Sequence, residues 1–397
     1  MIAADPIVIV AAARTPLGRF LGGLAPVTAA DLGAVAIRAA LERGGVPASS
    51  VDEVLMGCVL PAGQGQAPAR QAMRAAGVPD AVGATTVNKV CGSGMKAAMI
   101  AHDQILAGAI DVAVAGGMES MSNAPYLLKK GRAGYRFGHD RVYDHLALDG
   151  LEDAYEAGRP MGDFGESAVQ AYGFTRADQD AYAAETLRRA RQAVESGAFA
   201  AEIAPVAVAV PGKGGALMVD QDENPLKVSP EKIPTLKPAF REDGTITAAS
   251  ASANADGAAA LVLTRESVAR REGWPVLARI HGHATHSQEP AWYTTAPIPA
   301  VRKLLDKAGW QVQDVDLFEI NEAFAVVAMA AAQDLGIARD RLNVNGGACA
   351  LGHPIGATGA RLIVTLLHAL QARGLRRGVA ALCIGGGEAT AVAIERV

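Results

Sequence analysis

Short apolar runs of strand length alternate along this chain with longer alanine-rich stretches of helical period. Residues 6–10 (PIVIV), 51–56, 111–115 (DVAVA) and 379–384 (VAALCI) are continuous apolar runs, the pattern of strands buried on both faces. Between them, residues 29–43, 93–107, 298–308, 322–335 and 359–372 carry apolar side chains at the spacing of a helix face. Such alternation predicts an α/β fold with layered mixed or parallel sheets.

The two ends of the chain repeat one design. Near the front, a glycine-rich turn (CGSGMKA) opens a helix that leads into IDVAVAGGMES; near the back, HPIGATGARL opens a helix that leads into VAALCIGGGEA. VDEVLMG at 51–57 likewise mirrors VDLFEIN at 315–321. Three matching elements in one order point to a duplicated α/β half. Between the halves, residues 124–247 are richer in charge and aromatics and are broken by the Pro- and Gly-rich turns VPGKGG and NPLKVSPEKIP. This stretch is too long for a bare loop and predicts a subdomain with its own helices, such as 176–196, that covers the site or controls access to it.

Half of the 397 residues are hydrophobic and a fifth are charged, ample for large cores, and the length predicts two or three domains at roughly 150 residues each. The net charge of −4 supplies no basic field for nucleic acid or an anionic membrane, so neither is an expected partner. Cys58, Cys91, Cys349 and Cys383 are scattered and form no C-x-x-C pair, which favours a reducing compartment. The opening MIAADPIVIVAAARTP has no basic segment and reads as a strand, not a signal peptide. The apolar stretch 324–332 is far shorter than the roughly 20 residues that span a bilayer. A soluble, cytoplasmic protein is expected.

Four residues at strand-to-helix turns can do chemistry together. Cys91, in VNKVCGSGMKA, ends a strand-like stretch before a helix start, whose dipole favours a thiolate, with glycines for the turn; a buried structural cysteine is the competing reading. Cys383 ends the apolar run before IGGG, where open α/β sheets place ligands, or it is a small core hydrophobe. His353 is bracketed by glycines and followed by Pro354, in a constrained loop; a hydrogen-bonded structural histidine is the alternative. Asn321 ends another strand-like run, where an amide can orient a water or an oxyanion. A Cys–His pair is a nucleophile with its base, and a second Cys can move a proton at another atom. His281, His283 and His286 (HGHATH) tempt a metal reading. His281 and His283 would share one strand face, but no cysteine or acidic partner stands at the required spacing, so sheet or surface histidines and no metal are expected.

VNKVCGSGMKA, GGMESMS, NEAFA, NVNGGACALGHPIGATG and CIGGGEA resemble, in order and over nearly the whole chain, the signature segments of the thiolase family. The resemblance implies a thiolase-like fold: an N-terminal domain of residues 1–123 and 248–273, a loop domain at 124–247, and a C-terminal domain at 274–397, assembled as a homotetramer. It implies an acyltransferase of fatty acid metabolism that cleaves 3-ketoacyl-CoA with coenzyme A, or runs the reverse Claisen condensation, through an acyl-Cys91 intermediate. Coenzyme A is then a substrate, acyl-CoA and CoA are the partners, and no cofactor is permanently bound. Carried over residue by residue, Cys91 matches the acylated nucleophile and His353 the imidazole that activates it. Cys383 matches the thiol that moves a proton at the α-carbon. Asn321 matches the residue that holds a water for the enolate oxygen, and the Cys91 and Gly385 N–H groups match the second oxyanion hole. Met161, Lys227, Phe240, Ala248, Ser252, Ala323 and Phe324 match the substrate and CoA contacts.

Some positions depart from the short-chain biosynthetic pattern. GRPMG has Pro160 where those enzymes carry a histidine, and ITAASASANADG has Ser250 and Ala253 for Asn and Gly, which looks more like broader-chain members. Leu226 stands where an arginine often meets the adenine, with Lys227 as a substitute. Cys58 and Cys349 read as buried hydrophobes; Glu388 reads as a solvated turn residue or, alternatively, a modulator of Cys383. A ketoacyl synthase on the same fold lacks the second cysteine, a non-catalytic acyl-CoA-binding relative would lose catalytic residues, and a dinucleotide enzyme would need G-x-G-x-x-G.

Overall fold

The structure is a computed structural model that describes residues 5–210 and 215–397, so most of the VPGKGG turn lies outside the described residues. The apolar runs form strands with two buried faces. In β1 (Ile7–Arg14), Val8 and Val10 enter one core while Ile7 and Ile9 enter another. The other strands along the path of the main sheet are β2 (Glu53–Gly57), β3 (Gly83–Val87), β4 (Val112–Ser120), β5 (Ala255–Arg265), β6 (Ala278–Ser287), β7 (Leu317–Ile320), β8 (Arg377–Ile384) and β9 (Glu388–Arg396), with the short strand Gly18–Arg19 paired to β5 off that path.

The duplication is visible in the strand order. The first half runs β3-β2-β4-β5-β1 and the second β7-β8-β9-β6. Directions match as well: β2–β4 and β7–β8 are parallel, while β4–β5, β5–β1, β8–β9 and β9–β6 are antiparallel. The halves meet edge to edge where β1 pairs antiparallel with β6, Val8 opposite Arg279 and Ile9 opposite Ala278.

Helices fill the spaces between and outside the half-sheets. α1 (Ala29–Gly44) covers the first half from outside, capped by Thr28, which accepts from Asp31 N at 3.1 Å, and stopped by left-handed Gly45. α2 (Ser93–Leu106) and α5 (Ile355–Ala372) lie between the half-sheets, and α3 (Pro297–Ala308) and α4 (Ala325–Leu335) cover the second half from outside. α5 is long and apolar enough to cross a membrane, but 83% of it is buried at the centre of the protein. A helix that is apolar all round belongs there.

Two glycines let the central helices touch backbone to backbone. A Cβ on Gly94 would stand 2.9 Å from Ala360 N, and one on Gly359 would overlap Met95 N. This crossing draws the N-terminal ends of α2 and α5 together, and those ends follow Cys91 and His353 directly.

Two helices begin elsewhere than the periodicity suggests. α4 starts at Ala325, not 322, because Ala323 O accepts from Ser252 N at 2.9 Å and Phe324 bridges Ala251, which keeps Asn321–Phe324 extended. α5 starts at Ile355, not 359, since Pro354 fixes the turn that opens it. Between β4 and β5 the chain forms the inserted segment, with helices Met161–Tyr172 and Arg176–Glu195 and a hairpin of Val206–Ala209 with Ala216–Val219.

Candidate active site

Cys91 sits on a strained elbow. β3 ends at Val87, and the chain turns at Val90, whose φ of 48° is costly for a β-branched residue. The left-handed residue is thus Val90, not one of the flanking glycines. Ser93 holds the turn: its hydroxyl donates to Val90 O at 2.6 Å and accepts from Lys89 N at 2.8 Å. Gly92 serves close approach, since a Cβ there would overlap the Ile384 side chain of the opposite loop.

That opposite loop is the hairpin joining β8 to β9. Gly386 and Gly387 have φ of 92° and 88°, a turn that needs glycine. The backbone N–H groups of Gly385 and of Cys91 itself stand near the Cys91 sulfur and act to lower its thiol. Their effect is smaller than that of burial, which pushes the thiol up to about 11. Burial thus opposes the thiolate that the helix start and the backbone N–H groups favour. Cys383, fully buried at the end of β8, is held well above the ordinary thiol range by burial and then by Cys91, since thiolates on both sulfurs would repel.

His353 is positioned by backbone and side chain. Its N–H donates to Ala253 O at 2.8 Å, and its Nδ1 lies 2.6 Å from Thr358 Oγ1. With the Thr358 hydroxyl hydrogen directed to Pro354 O at 2.9 Å, its oxygen accepts from Nδ1–H. This leaves Nε2 unprotonated, a lone pair facing the site. Burial, and then the Arg361 charge, lowers the imidazole to about 3 and keeps it neutral. Asn321 Nδ2 lies 3.5 Å from Nε2, while its buried Oδ1 meets no protein donor.

Cys91, His353 and Gly385 line one cavity of about 300 Å³. Of the expected substrate contacts, Met161, Ser252, Ala323 and Phe324 share that lining. Phe240 stands behind it, its ring edge-on to Phe324 at 5.6 Å, whereas Lys227 and Ala248 are exposed and outside the lining. Sequence reasoning missed the wall formed by Leu148–Tyr155, which has no periodic signal. It also missed Tyr293, whose hydroxyl donates to Met161 O at 3.0 Å. Thr358 was legible only as part of a turn motif.

Glu119, from the GGMES segment, ties the site's scaffold together. Its carboxylate accepts from Val59, Leu60 and Gly356 N–H at 2.9, 3.1 and 2.8 Å, so it staples the loop after β2 to the start of α5. Burial raises it to about 7 despite those donors.

Other residues depart from expectation or sit aside from the cavity. Glu388 is no solvated turn residue: it is half-buried and paired with Lys89. Cys58 and Cys349 are buried as expected, and each also makes a polar contact, with Glu119 Oε1 at 3.5 Å and Glu322 O at 3.6 Å. His281 and His283 do not share a face. A bulge between Ile280 and Gly282 turns His281 onto Glu395 (2.7 Å) and Trp310, and His283 onto Asp103 (2.8 Å). The acidic partner that the local spacing lacks is brought in by α2, as Asp103 beside His102, with all donor atoms within 4.8 Å. One Asp103 oxygen accepts from both rings, so hydrogen bonding accounts for the cluster.

Comparison with known proteins gives this geometry its relatives. Residues 7–267 match the model described as thiolase, N-terminal domain, and residues 274–396 that of thiolase, C-terminal domain. The chain is 50% identical over 392 residues to an acetyl-CoA acetyltransferase of Escherichia coli, covering 98% of this chain and 99% of that one. Acetyl-CoA acetyltransferase 2 of Arabidopsis thaliana is 49% identical, covering 98% and 96%. Among solved structures, the Bacillus anthracis acetyl-CoA acetyltransferase superposes with a TM-score of 0.96 at 42% identity, covering all of both chains. The Acat5 thiolase of Ascaris suum, in complex with coenzyme A, gives 0.93 at 42% identity over 99% of this chain and all of its own. With both domain models matched along its length and half of its residues shared with full-length relatives, the chain belongs to the thiolase family of acyltransferases.

Proposed function

We propose that this thiolase cleaves 3-ketoacyl-CoA with coenzyme A, and condenses acetyl-CoA in reverse, with Cys91 as the acyl carrier. The observation that carries the reading is the cavity that Cys91, His353 and Gly385 line together, with Asn321 Nδ2 3.5 Å from His353 Nε2 and Cys383 buried outside the lining but near enough to interact with Cys91. In cleavage, Nε2 takes the Cys91 proton as the sulfur attacks the C3 ketone. The C2–C3 bond breaks, and its electron pair leaves as the acetyl-CoA enolate. Its oxygen is met by the Asn321 side of the site, where the newly protonated Nε2 also donates. Cys383 gives the α-carbon its proton and, as the resulting thiolate, takes the thiol proton of coenzyme A; the CoA sulfur attacks the acyl carbon, and His353 returns its proton to the departing Cys91 sulfur.

The names of the E. coli, Arabidopsis and Bacillus proteins support acetyl-CoA as a substrate, and the Ascaris complex supports coenzyme A. Pro160, which caps the helix carrying Met161 into the cavity, favours a second reading of chain length, with longer 3-ketoacyl groups accepted. Thiolysis rates across substrates from four carbons upward test both. Activity on none of them sinks the function, and a sharp preference for acetoacetyl-CoA sinks the Pro160 reading.

Assembly as a homotetramer is supported by exposed Tyr126, Leu128, Tyr135, Phe137 and Val142 in one segment, and by the open edge of β3. Four free thiols are in keeping with a reducing cytoplasm, and 3-ketoacyl-CoA cleavage with a place in fatty acid metabolism. Light scattering and cell fractionation test the assembly and the compartment.

A further inference from the structure

The nucleophile loop and the glycine hairpin, 299 residues apart in sequence, are joined by an ion pair. Lys89 Nζ meets Glu388 Oε2, and Glu388 Oε1 accepts from Ser287 Oγ at 3.0 Å. The two side chains are 22% and 31% exposed. Lys89 stands just before the Val90 elbow, and Glu388 just after the Gly385–Gly387 turn. Lys89 is tied to its loop by the bond from Gly92 N to its carbonyl at 3.0 Å, and Gly387, beside Glu388, accepts from Gln288 N at 2.8 Å. Glu388 also pairs across the hairpin with Ile384. A shift at the ion pair is therefore passed to the two backbone N–H groups at Cys91.

We propose that Lys89 and Glu388 are positioning residues whose ion pair sets the spacing between the Cys91 and Gly385 N–H groups, and so the fit of the oxyanion hole used in acyl transfer. The inference rests on the reading of Cys91 as the acylated nucleophile. Magnitudes favour geometry over stability as the purpose of the pair. A partly exposed ion pair contributes about 0.2–1 kcal/mol to folding, whereas a 1 Å misplacement at a reacting centre can cost on the order of 10² in rate. Glu388 is faced by Lys96 as well, so losing Lys89 leaves a rival cation that draws the carboxylate toward α2.

Two reactions of one sulfur separate this role from a merely structural one. Acetylation by acetyl-CoA sends the Cys91 proton to His353, forms the S–C bond, releases CoA thiolate and builds negative charge on the carbonyl oxygen. Alkylation by iodoacetamide displaces iodide and builds no oxyanion. Lys89→Met and Glu388→Gln are expected to lower Cys91 acetylation about tenfold while alkylation and the KM for acetyl-CoA stay within about twofold. The double variant is expected to be no slower than either single one, and Lys89→Arg to recover most of the rate. Equal losses in acetylation and alkylation, multiplicative losses in the double variant, or a raised KM at unchanged kcat would each overturn the proposal; the last would make Lys89 a coenzyme A contact instead. Absence of acetylation in the unaltered protein would overturn the nucleophile reading itself, a distinct result.

Discussion

Thr358 Oγ1 lies 2.6 Å from His353 Nδ1 and, by giving its own hydrogen to Pro354 O, fixes which imidazole nitrogen carries the proton. The lone pair on the other nitrogen is thus set by a hydroxyl five residues along the chain. Thr358→Val removes the acceptor and frees the ring to adopt the other tautomer. General acid–base catalysis contributes typically 10²–10⁴, so a fall in kcat of about 10² is expected, with Thr358→Ser close to the unaltered enzyme. A Thr358→Val enzyme with ordinary steady-state thiolysis would show that the hydroxyl does not set the tautomer.

Cys91 is a neutral thiol at rest because burial outweighs the two N–H donors and raises it to about 11. Its reaction with iodoacetamide should therefore accelerate steadily from pH 7 to pH 10 without levelling off. A plateau below pH 8 would mean that a thiolate–imidazolium pair already exists in the free enzyme.

Asn321→Ala should slow turnover by about 10²–10³, the usual loss for one oxyanion donor, yet leave Cys91 acylation detectable by mass spectrometry. Cys91→Ala should show neither turnover nor acyl-enzyme. Near-normal thiolysis by Cys91→Ala would remove that residue from the mechanism.

These groups were legible from sequence to unequal degrees, for physical reasons. Cys91, His353 and Cys383 each end a strand or precede a helix within a glycine-rich motif, and Asn321 directly follows a strand-like run, so local chemistry marked them. The paired halves were legible because buried strands leave unbroken apolar runs. The wall from Leu148 to Tyr155 has no such period, and Tyr293 and Asp103 act only because distant elements meet. The His281 bulge was hidden for a similar reason: a single extra residue in a ladder changes which face a side chain takes, and alternation alone cannot reveal it.

Glu319 faces Arg361 at 3.6 Å, both almost wholly buried, and burial raises this carboxyl from 4.5 to about 8. The folded chain then holds this proton more tightly than the unfolded chain does. Its contribution to stability therefore falls as pH rises from about 4.5 to about 8 and levels off above. Glu319→Gln cannot titrate, so its Tm measured against that of the unaltered protein should rise across this interval. A constant difference from pH 5 to pH 8 would contradict the assignment.

Gly359→Ala places a methyl group against the Met95 backbone at the crossing of the central helices. A loss of about 1–3 kcal/mol in unfolding free energy is expected, measured by urea titration, because neither backbone can yield alone. An unchanged midpoint would show that the helices separate readily.

The hairpin that brings Gly385 to Cys91 also dictates when the site can come into being. On a growing chain, the reactive thiol is made early, while the donor that faces it and the helix that carries its base come from the distal half. Until β8 and α5 dock, the cover over that sulfur is incomplete, with only Val59, Leu60, Met121 and Leu146 of its own cluster in place, and such long-range closure is inherently slow. The thiol is therefore present before its cover, and the docking that brings His353 and Gly385 to it also closes it in.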